Sequence, residues 1–321
     1  MNEILRVVNL KKYFTKKEIF GGKSSTVRAV DDVSFSVKKG EVFVLAGESG
    51  SGKSTIAKLI LKSIKLDSGE IFYEEQKIED KKKDTDKIRM NCQMIHQDPY
   101  DSINPRMKVR DIISEPLEIH NFGNNEERLK RVIQVLREVK LEPAEEISKK
   151  YPHMLSGGQR QRVVLARALA SKPKMILADE PVSMLDVSIR AEMLELMQEL
   201  QKEYNISFIY ITHDLATARY LGQRIAILYM GKIVEMGPID QVLLTPKHPY
   251  TQALIDAISE PDPKNLYRER KIRINMSVEV DIYQGCRFRA RCPYVIEKCA
   301  KEPNLEKISN EHYSACHVKL D

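Results

Sequence analysis

Five consecutive apolar residues, Val42–Ala46 (VFVLA), run straight into the glycine-rich stretch Gly47–Ser54 (GESGSGKS), and beyond it Ile56, Leu59 and Ile60 recur at helical spacing. Few folds accommodate that order. A short, wholly apolar run suits a strand covered on both faces of a sheet. A glycine-rich turn into a helix aims successive backbone N–H groups, and the positive end of the helix dipole, at one point. A phosphate group fits that point. The stretch matches the phosphate-loop pattern G-x-x-x-x-G-K-[ST] in full, so Gly47, Ser49, Gly50, Ser51, Gly52, Lys53, Ser54 and Thr55 are candidate nucleotide-binding residues. In such a loop the lysine, Lys53, reaches the β- and γ-phosphates, and the Ser54 hydroxyl sits on Mg2+.

Two more apolar runs end in polar clusters. Met175–Ala178 (MILA) runs into Asp179-Glu180, and Phe208–Ile211 (FIYI) into Thr212-His213. Short apolar runs alternating with helical segments predict an α/β fold on a mostly parallel sheet. Ligand-contacting residues of such sheets lie beyond the carboxyl ends of the strands, where all three clusters fall. Asp179 is placed to hold the Mg2+ shell through water, and Glu180 to orient or deprotonate an attacking water. Between the first two runs, residues 110–170 read as helix after helix with a break at Pro152, a helical insertion. Within it Leu155–Gln159 (LSGGQ) opens a helix. Ser156 is its expected cap, and Gly157, Gly158 and Gln159 leave N–H groups facing outward for an anion.

Composition narrows the class. Basic residues exceed acidic ones by six, but the excess is spread along the chain and interrupted by acids, which argues against a nucleic-acid footprint. No apolar stretch approaches the roughly 18–20 residues that cross a bilayer. Glu3 and Arg6 interrupt the first apolar residues, unlike a signal peptide. A cytosolic protein, or one held to a membrane through partners, is expected. Of five cysteines, Cys92 reads as a small buried hydrophobe, whereas Cys286, Cys292, Cys299 and Cys316 crowd the C-terminus. Without an export signal, that crowding favours metal or redox chemistry over disulfides. Spacings of 6, 7 and 17 suit a four-cysteine site occupied by [4Fe–4S] or zinc. Arg287, Arg289 and Arg291 are expected to offset the thiolate charge. The distance of these residues from the phosphate loop in sequence predicts a structural or docking role, not electron transfer coupled to ATP. Pro261 and Pro263 mark a linker before this region.

The phosphate loop, LSGGQ and the acid pair together resemble the nucleotide-binding domain of ABC transporters over residues 1–258, with a helical subdomain at about 98–170 and a Cys-rich extension at 259–321. The resemblance implies a P-loop NTPase fold of mostly parallel core sheet, antiparallel β subdomain and helical subdomain. It implies that Gln97 (in MIHQDPY) contacts Mg2+ and water, that His213 (in ITHDL) bonds the γ-phosphate, and that Tyr13 stacks on adenine, with Phe14 as the alternative. Met184-Leu185-Asp186 is similar to the family's dimer-contacting loop, with Met184 where Ala is usual and Val182 where Thr is usual. In the family, LSGGQ of one subunit completes the ATP site of another, so one chain supplies two half-sites. HQDPYDSINPRMKV (96–109), PVSMLDVSIRA (181–191) and KHPYTQAL (247–254) resemble the F-type subunits of oligopeptide/dipeptide importers, as does the tail GCRFRARCP with its later cysteines. There the four cysteines hold a [4Fe–4S] cluster. The segment before Cys286 lacks the family's usual Pro-rich run. The expected partners are two transmembrane permeases, a paralogous ATPase and an external solute-binding protein, with the chain at the cytoplasmic membrane face. Relatives also import oligosaccharides or nickel chelates, and a soluble non-transport ABC ATPase is the reading from another class.

Overall fold

In a computed structural model of the chain, residues 3–16, 25–257 and 283–320 are described. The linker at Pro261 and Pro263 lies outside them. The strands run, in chain order, β1 (Glu3–Lys16), β2 (Ser25–Lys38), β3 (Val42–Ala46), β4 (Ser68–Tyr73), β5 (Gln76–Lys77), β6 (Cys92–Ile95), β7 (Met175–Asp179), β8 (Ser207–Thr212), β9 (Arg224–Tyr229), β10 (Lys232–Pro238), β11 (Glu306–Ser309) and β12 (His312–Ser314). They form two sheets. The smaller, β2-β1-β4-β5, is antiparallel. The larger, β11-β12-β10-β9-β3-β8-β7-β6, is parallel from β6 to β9 and antiparallel from β10 outward.

The apolar runs are continuous because the sheet is covered on both faces. Side chains alternate along a strand. In β3, Val42, Val44 and Ala46 join the core beneath the helical region, while Phe43 and Leu45 join the core shared with the antiparallel sheet. The same split divides Ile176 and Ala178 from Met175 and Leu177 in β7. Helix Lys53–Ile60 springs from the end of β3 and buries Ile56, Ala57, Leu59 and Ile60 in the second core.

The helical region centres on helix Gly157–Ala170, which packs against helices Val109–Ile119 and Asn125–Glu138. Pro152 opens a short 3-10 turn, Pro152–Met154, ahead of it. Asn124 and Glu127 form a reciprocal capping box at the start of Asn125–Glu138, a device worth about 1 kcal/mol. Buried Arg131 donates to the carbonyls of Leu169 and Ala170, satisfying acceptors that the end of the central helix leaves open.

The C-terminal residues join the main sheet. Strand β12 pairs with β10, placing Ser314 opposite Glu235 and Tyr313 opposite Met236. His312 Nε2 lies 2.7 Å from Glu235 Oε1, with both side chains buried. Leaving a buried polar group without its hydrogen-bond partner costs about 1–3 kcal/mol, so the contact anchors the tail. Phe288 and Cys292 enter the larger core. At Gly285 (φ 74°) a Cβ would lie 2.6 Å from the carbonyl oxygens of both Cys299 and Ala300, so only glycine allows that approach.

Candidate functional site

The turn from β3 into helix Lys53–Ile60 depends on backbone that only glycine adopts easily. Gly47 (φ 147°) and Gly52 (φ 107°) lie so close to the carbonyls of Leu228 and Ala29 that a Cβ would come within 2.2 and 2.1 Å of them. Ser49 and Gly50 are exposed, Ser51 and Lys53 are buried, and Ser54 and Thr55 are half-buried. The Lys53 Nζ donates to the carbonyls of Gly47 (2.8 Å) and Glu48 (2.9 Å) and lies 3.5 Å from Ser51 Oγ. Burial pushes the Lys53 ammonium pKa down, against the upward pull of Glu180, Asp179 and Glu48. An ammonium in that setting gains from an added anion.

Asp179 ends β7 and is buried. Burial pushes its carboxyl pKa up, opposed by a hydrogen bond from Ser54 and reinforced by the charge of Glu180. Glu180 follows in the left-handed region (φ 48°), its N–H donating to Ile211 at 2.9 Å. Two side chains grip its carboxylate from opposite oxygens. His213 Nδ1 is 3.0 Å from Oε1, and Gln97 Nε2 donates to Oε2 at 3.1 Å. Gln97 follows β6, Glu180 follows β7 and His213 follows β8, so three neighbouring parallel strands deliver the three groups together.

Ser156, Gly157, Gly158 and Gln159 stand apart from that cluster. Ser156 Oγ accepts from the Gln159 N–H (3.2 Å), and the Gln159 side chain accepts from the Ser156 N–H (3.1 Å), a second capping box. A Cβ at Gly157 would meet nothing within 4 Å, so this helix start opens outward. Nearby, Met184 (61 %) and Val187 (82 %) are strongly exposed for apolar residues.

Tyr13 lies on β1 opposite Arg28 of β2. Its hydroxyl donates to Asp31 Oδ1 at 2.6 Å, and the Arg28 guanidinium sits 5.7 Å from the ring centre. Burial, then the Asp31 bond, pushes the phenol pKa up to about 12. Burial would raise the Asp31 pKa, but the Tyr13 hydroxyl and the Arg287 guanidinium outweigh it and hold the carboxyl below its usual range. Phe14 is more exposed, with the Lys12 ammonium 5.5 Å from its ring centre.

One sequence expectation about the tail is corrected here. Arg287 and Arg291 are engaged elsewhere than as thiolate counter-charges. Arg287 donates to buried Asp31 and to the Met230 carbonyl. Arg291 forks onto both carboxylate oxygens of Glu48, each at 3.0 Å. The tail is therefore in contact with the phosphate loop, despite a separation of 243 residues. Sequence reading missed Asp31, Glu48, Arg287 and Arg291 as contributors. A charged residue at a variable position of the loop, with arginines at i and i+4 in the tail, was the available signal.

Cys292 and Cys299 are buried, Cys286 and Cys316 half-buried. Burial, with the neighbouring thiols, pushes Cys286, Cys292 and Cys316 up to about 11. Each of these three also accepts a backbone N–H, from Phe288, Tyr294 and Val318 respectively, which pulls the other way. Among the described residues no group of three or more His, Cys, Asp or Glu side chains is arranged to hold a metal ion. Cys92 is buried on β6, and burial drives its thiol far above the ordinary range.

Residues 30–183 match the ABC transporter family, and residues 234–299 match the oligopeptide/dipeptide transporter C-terminal region. The chain is 39 % identical to the oligopeptide transport ATP-binding protein AppF of Bacillus subtilis, over 98 % of this chain and 97 % of that one. It is 38 % identical to the di/tripeptide transport ATP-binding protein DppF of Pseudomonas aeruginosa, over 99 % and 98 %. Among solved structures, a dimeric ATP-binding cassette in a post-hydrolysis state, bound to ADP and Pi, superposes with a TM-score of 0.64 at 31 % identity, covering 73 % of this chain and 98 % of that one. The chain belongs to the ATP-binding subunits of ABC transporters, in the oligopeptide/dipeptide importer family.

Proposed function

We propose that this chain is the F-type, ATP-hydrolysing subunit of an importer for di- or oligopeptides. It works at the cytoplasmic membrane face beneath two permease subunits, beside a paralogous ATPase, with solute delivered by an external binding protein. The observation that carries the hydrolytic reading is the double grip of Gln97 and His213 on the Glu180 carboxylate, next to Lys53 and Asp179. Peptide is favoured over oligosaccharide or nickel chelate by the relatives' names and the C-terminal match. The same C-terminal match disfavours a soluble, non-transport ATPase.

In this reading Lys53 exchanges its loop carbonyls for the β- and γ-phosphate oxygens. The linked pair Ser54 and Asp179, with Gln97, would hold Mg2+ through the oxygen donors that suit it, and that charge would offset the negative charge of the phosphates. Glu180 orients or deprotonates water held in line with the γ-phosphate, and His213 turns from Glu180 to that phosphate. Tyr13 stacks on adenine. Ser156–Gln159 face the nucleotide of the partner ATPase.

The four tail cysteines fit a [4Fe–4S] cluster in donor chemistry, and three of them in the backbone N–H bonds their sulfurs accept. They are close enough to disturb one another electrostatically but not gathered around one ion position. A tetrahedral zinc site with bonds of about 2.3 Å would draw the sulfurs within about 4 Å of each other. A four-iron cluster would draw on the same four thiolate donors, and the resemblance of the tail favours it over zinc. Cys286, Cys292, Cys299 and Cys316 would be its ligands and the cluster would cross-link the tail.

The hydrolytic reading is tested with Glu180→Gln. That variant is expected to bind ATP like the parent while turnover in the assembled importer falls about 10²-fold or more, the scale of a lost general base. Near-parental turnover would sink the assignment.

A further inference from the structure

Glu48 occupies a position of the phosphate loop that the loop pattern leaves open, yet all three of its polar groups are held. Its N–H donates to Tyr250 Oη at 2.9 Å, its carbonyl accepts from Lys53 Nζ at 2.9 Å, and its carboxylate accepts the Arg291 fork. Arg291 is itself seated against aromatic rings. Its guanidinium lies 5.7 Å from the centres of both Tyr229 and Phe288, and it donates to Tyr229 Oη at 3.3 Å. Tyr229, Tyr250 and Phe288 pack on one another. The Cys286–Cys292 turn that carries Arg291 is pinned at its other end by Arg287, through the buried pair with Asp31.

We propose that Arg291 is a positioning and charge-compensating residue of the nucleotide half-site, delivered to the phosphate loop by the C-terminal segment. This rests on the reading of Gly47–Ser54 as that loop. Without Arg291 the Glu48 carboxylate loses its forked partner and stands uncompensated on the phosphate loop itself, one residue past Gly47. A free negative charge there repels an incoming triphosphate. A planar fork on both oxygens also fixes where Glu48 lies, which a point charge does less well. A bland alternative is that the pair merely fastens the tail. Its half-exposed setting argues otherwise, since exposed ion pairs add little to stability.

The experiment measures MgATP affinity by calorimetry on the full chain, at low and high salt, alongside thermal unfolding. Arg291→Ala is expected to weaken ATP binding about fivefold, more at low salt than at high, as a local charge effect requires. Arg291→Lys should fall between, and Arg291→Ala combined with Glu48→Gln should recover most of the loss. Glu302→Gln, which breaks a second tail ion pair with Lys232 away from Glu48, should leave affinity alone. Unchanged affinity in Arg291→Ala, an equal loss in Glu302→Gln, or no recovery in the double variant would each overturn the proposal. Should Arg291→Ala misfold, Arg291→Lys decides it, because parental affinity there at both salts is equally fatal. Lys53→Ala separates the two readings. If it keeps ATP, the phosphate-loop reading falls and takes this inference with it. If it loses ATP while Arg291→Ala does not, only this inference falls.

Discussion

Glu180 spends backbone energy to sit where it does. A non-glycine residue in the left-handed region costs about 1–2 kcal/mol, and the chain tolerates it because the Glu180 N–H still reaches Ile211 and continues the ladder to β8. The turn swings the carboxylate off the strand axis toward Gln97 and His213. Tyr13 is a contrasting case, since two roles compete for it. Its hydroxyl is committed to Asp31 while its ring keeps a partly exposed face. Tyr13→Phe keeps the ring and loses one hydrogen bond, so stability should fall by about 1 kcal/mol with ATP affinity near parental. Tyr13→Ala should weaken ATP about 30-fold, the middle of the range for one base stacked on one ring. Phe14→Ala should change neither by much. Nucleotide titration of the three variants decides the matter, and a larger affinity loss at Phe14 than at Tyr13 would transfer the stacking role.

At the scale of elements, the arrangement follows from strands ending side by side. β6, β7 and β8 are in parallel register, so the first or second residue after each strand arrives at the same edge, and Gln97, Glu180 and His213 meet there. Glu180 and His213 were legible in the sequence because their apolar runs stop abruptly at polar residues, whereas β6 (CQMI) is no such run and Gln97 came only from the family resemblance. The helix Gly157–Ala170 was legible for a different reason, since its cap and glycines lie together in LSGGQ. Its outward-facing start leads to an expected separation of two effects. Ser156→Arg gives up a cap worth about 1 kcal/mol, too little to unfold the chain, so the isolated subunit should bind ATP with parental affinity. ATP-driven association with the partner ATPase, followed by size-exclusion chromatography, should be abolished. Loss of binding in the isolated variant would place Ser156 in the chain's own half-site instead. The capping residue itself, by contrast with the strand ends, makes only local hydrogen bonds, and nothing in the sequence pattern says which nucleotide it faces.

For the molecule as a whole, the tail was the part least legible. Its cysteines and arginines stood out, but local pattern carries no information about a contact across 243 residues, and β12 is too short to show periodicity. Only the fold reveals that β10 offers an open edge to β12 and that Asp31 and Glu48 await arginines. The tail's attachment is thus distributed over a strand pairing, the buried Glu235–His312 pair and the buried Arg287–Asp31 pair, which leaves the four cysteines with a narrower task. They lie in a turn-rich stretch with few apolar contacts beyond Phe288 and Cys292. Burial pushes three of the thiols up to about 11, and a metal that binds thiolate would draw their protons off. The backbone N–H groups directed at the same sulfurs would then stabilise the charge. Anaerobically purified chain is therefore expected to be brown, to absorb broadly in the visible and to carry about four irons per chain. Cys292→Ser should lose iron and colour together and lower the unfolding temperature, with the larger part of the effect in the tail, as amide exchange of residues 283–320 would register. Colourless anaerobic protein with one zinc would keep the metal site and reject the cluster, and metal-free protein with unaltered exchange in Cys292→Ser would reject both.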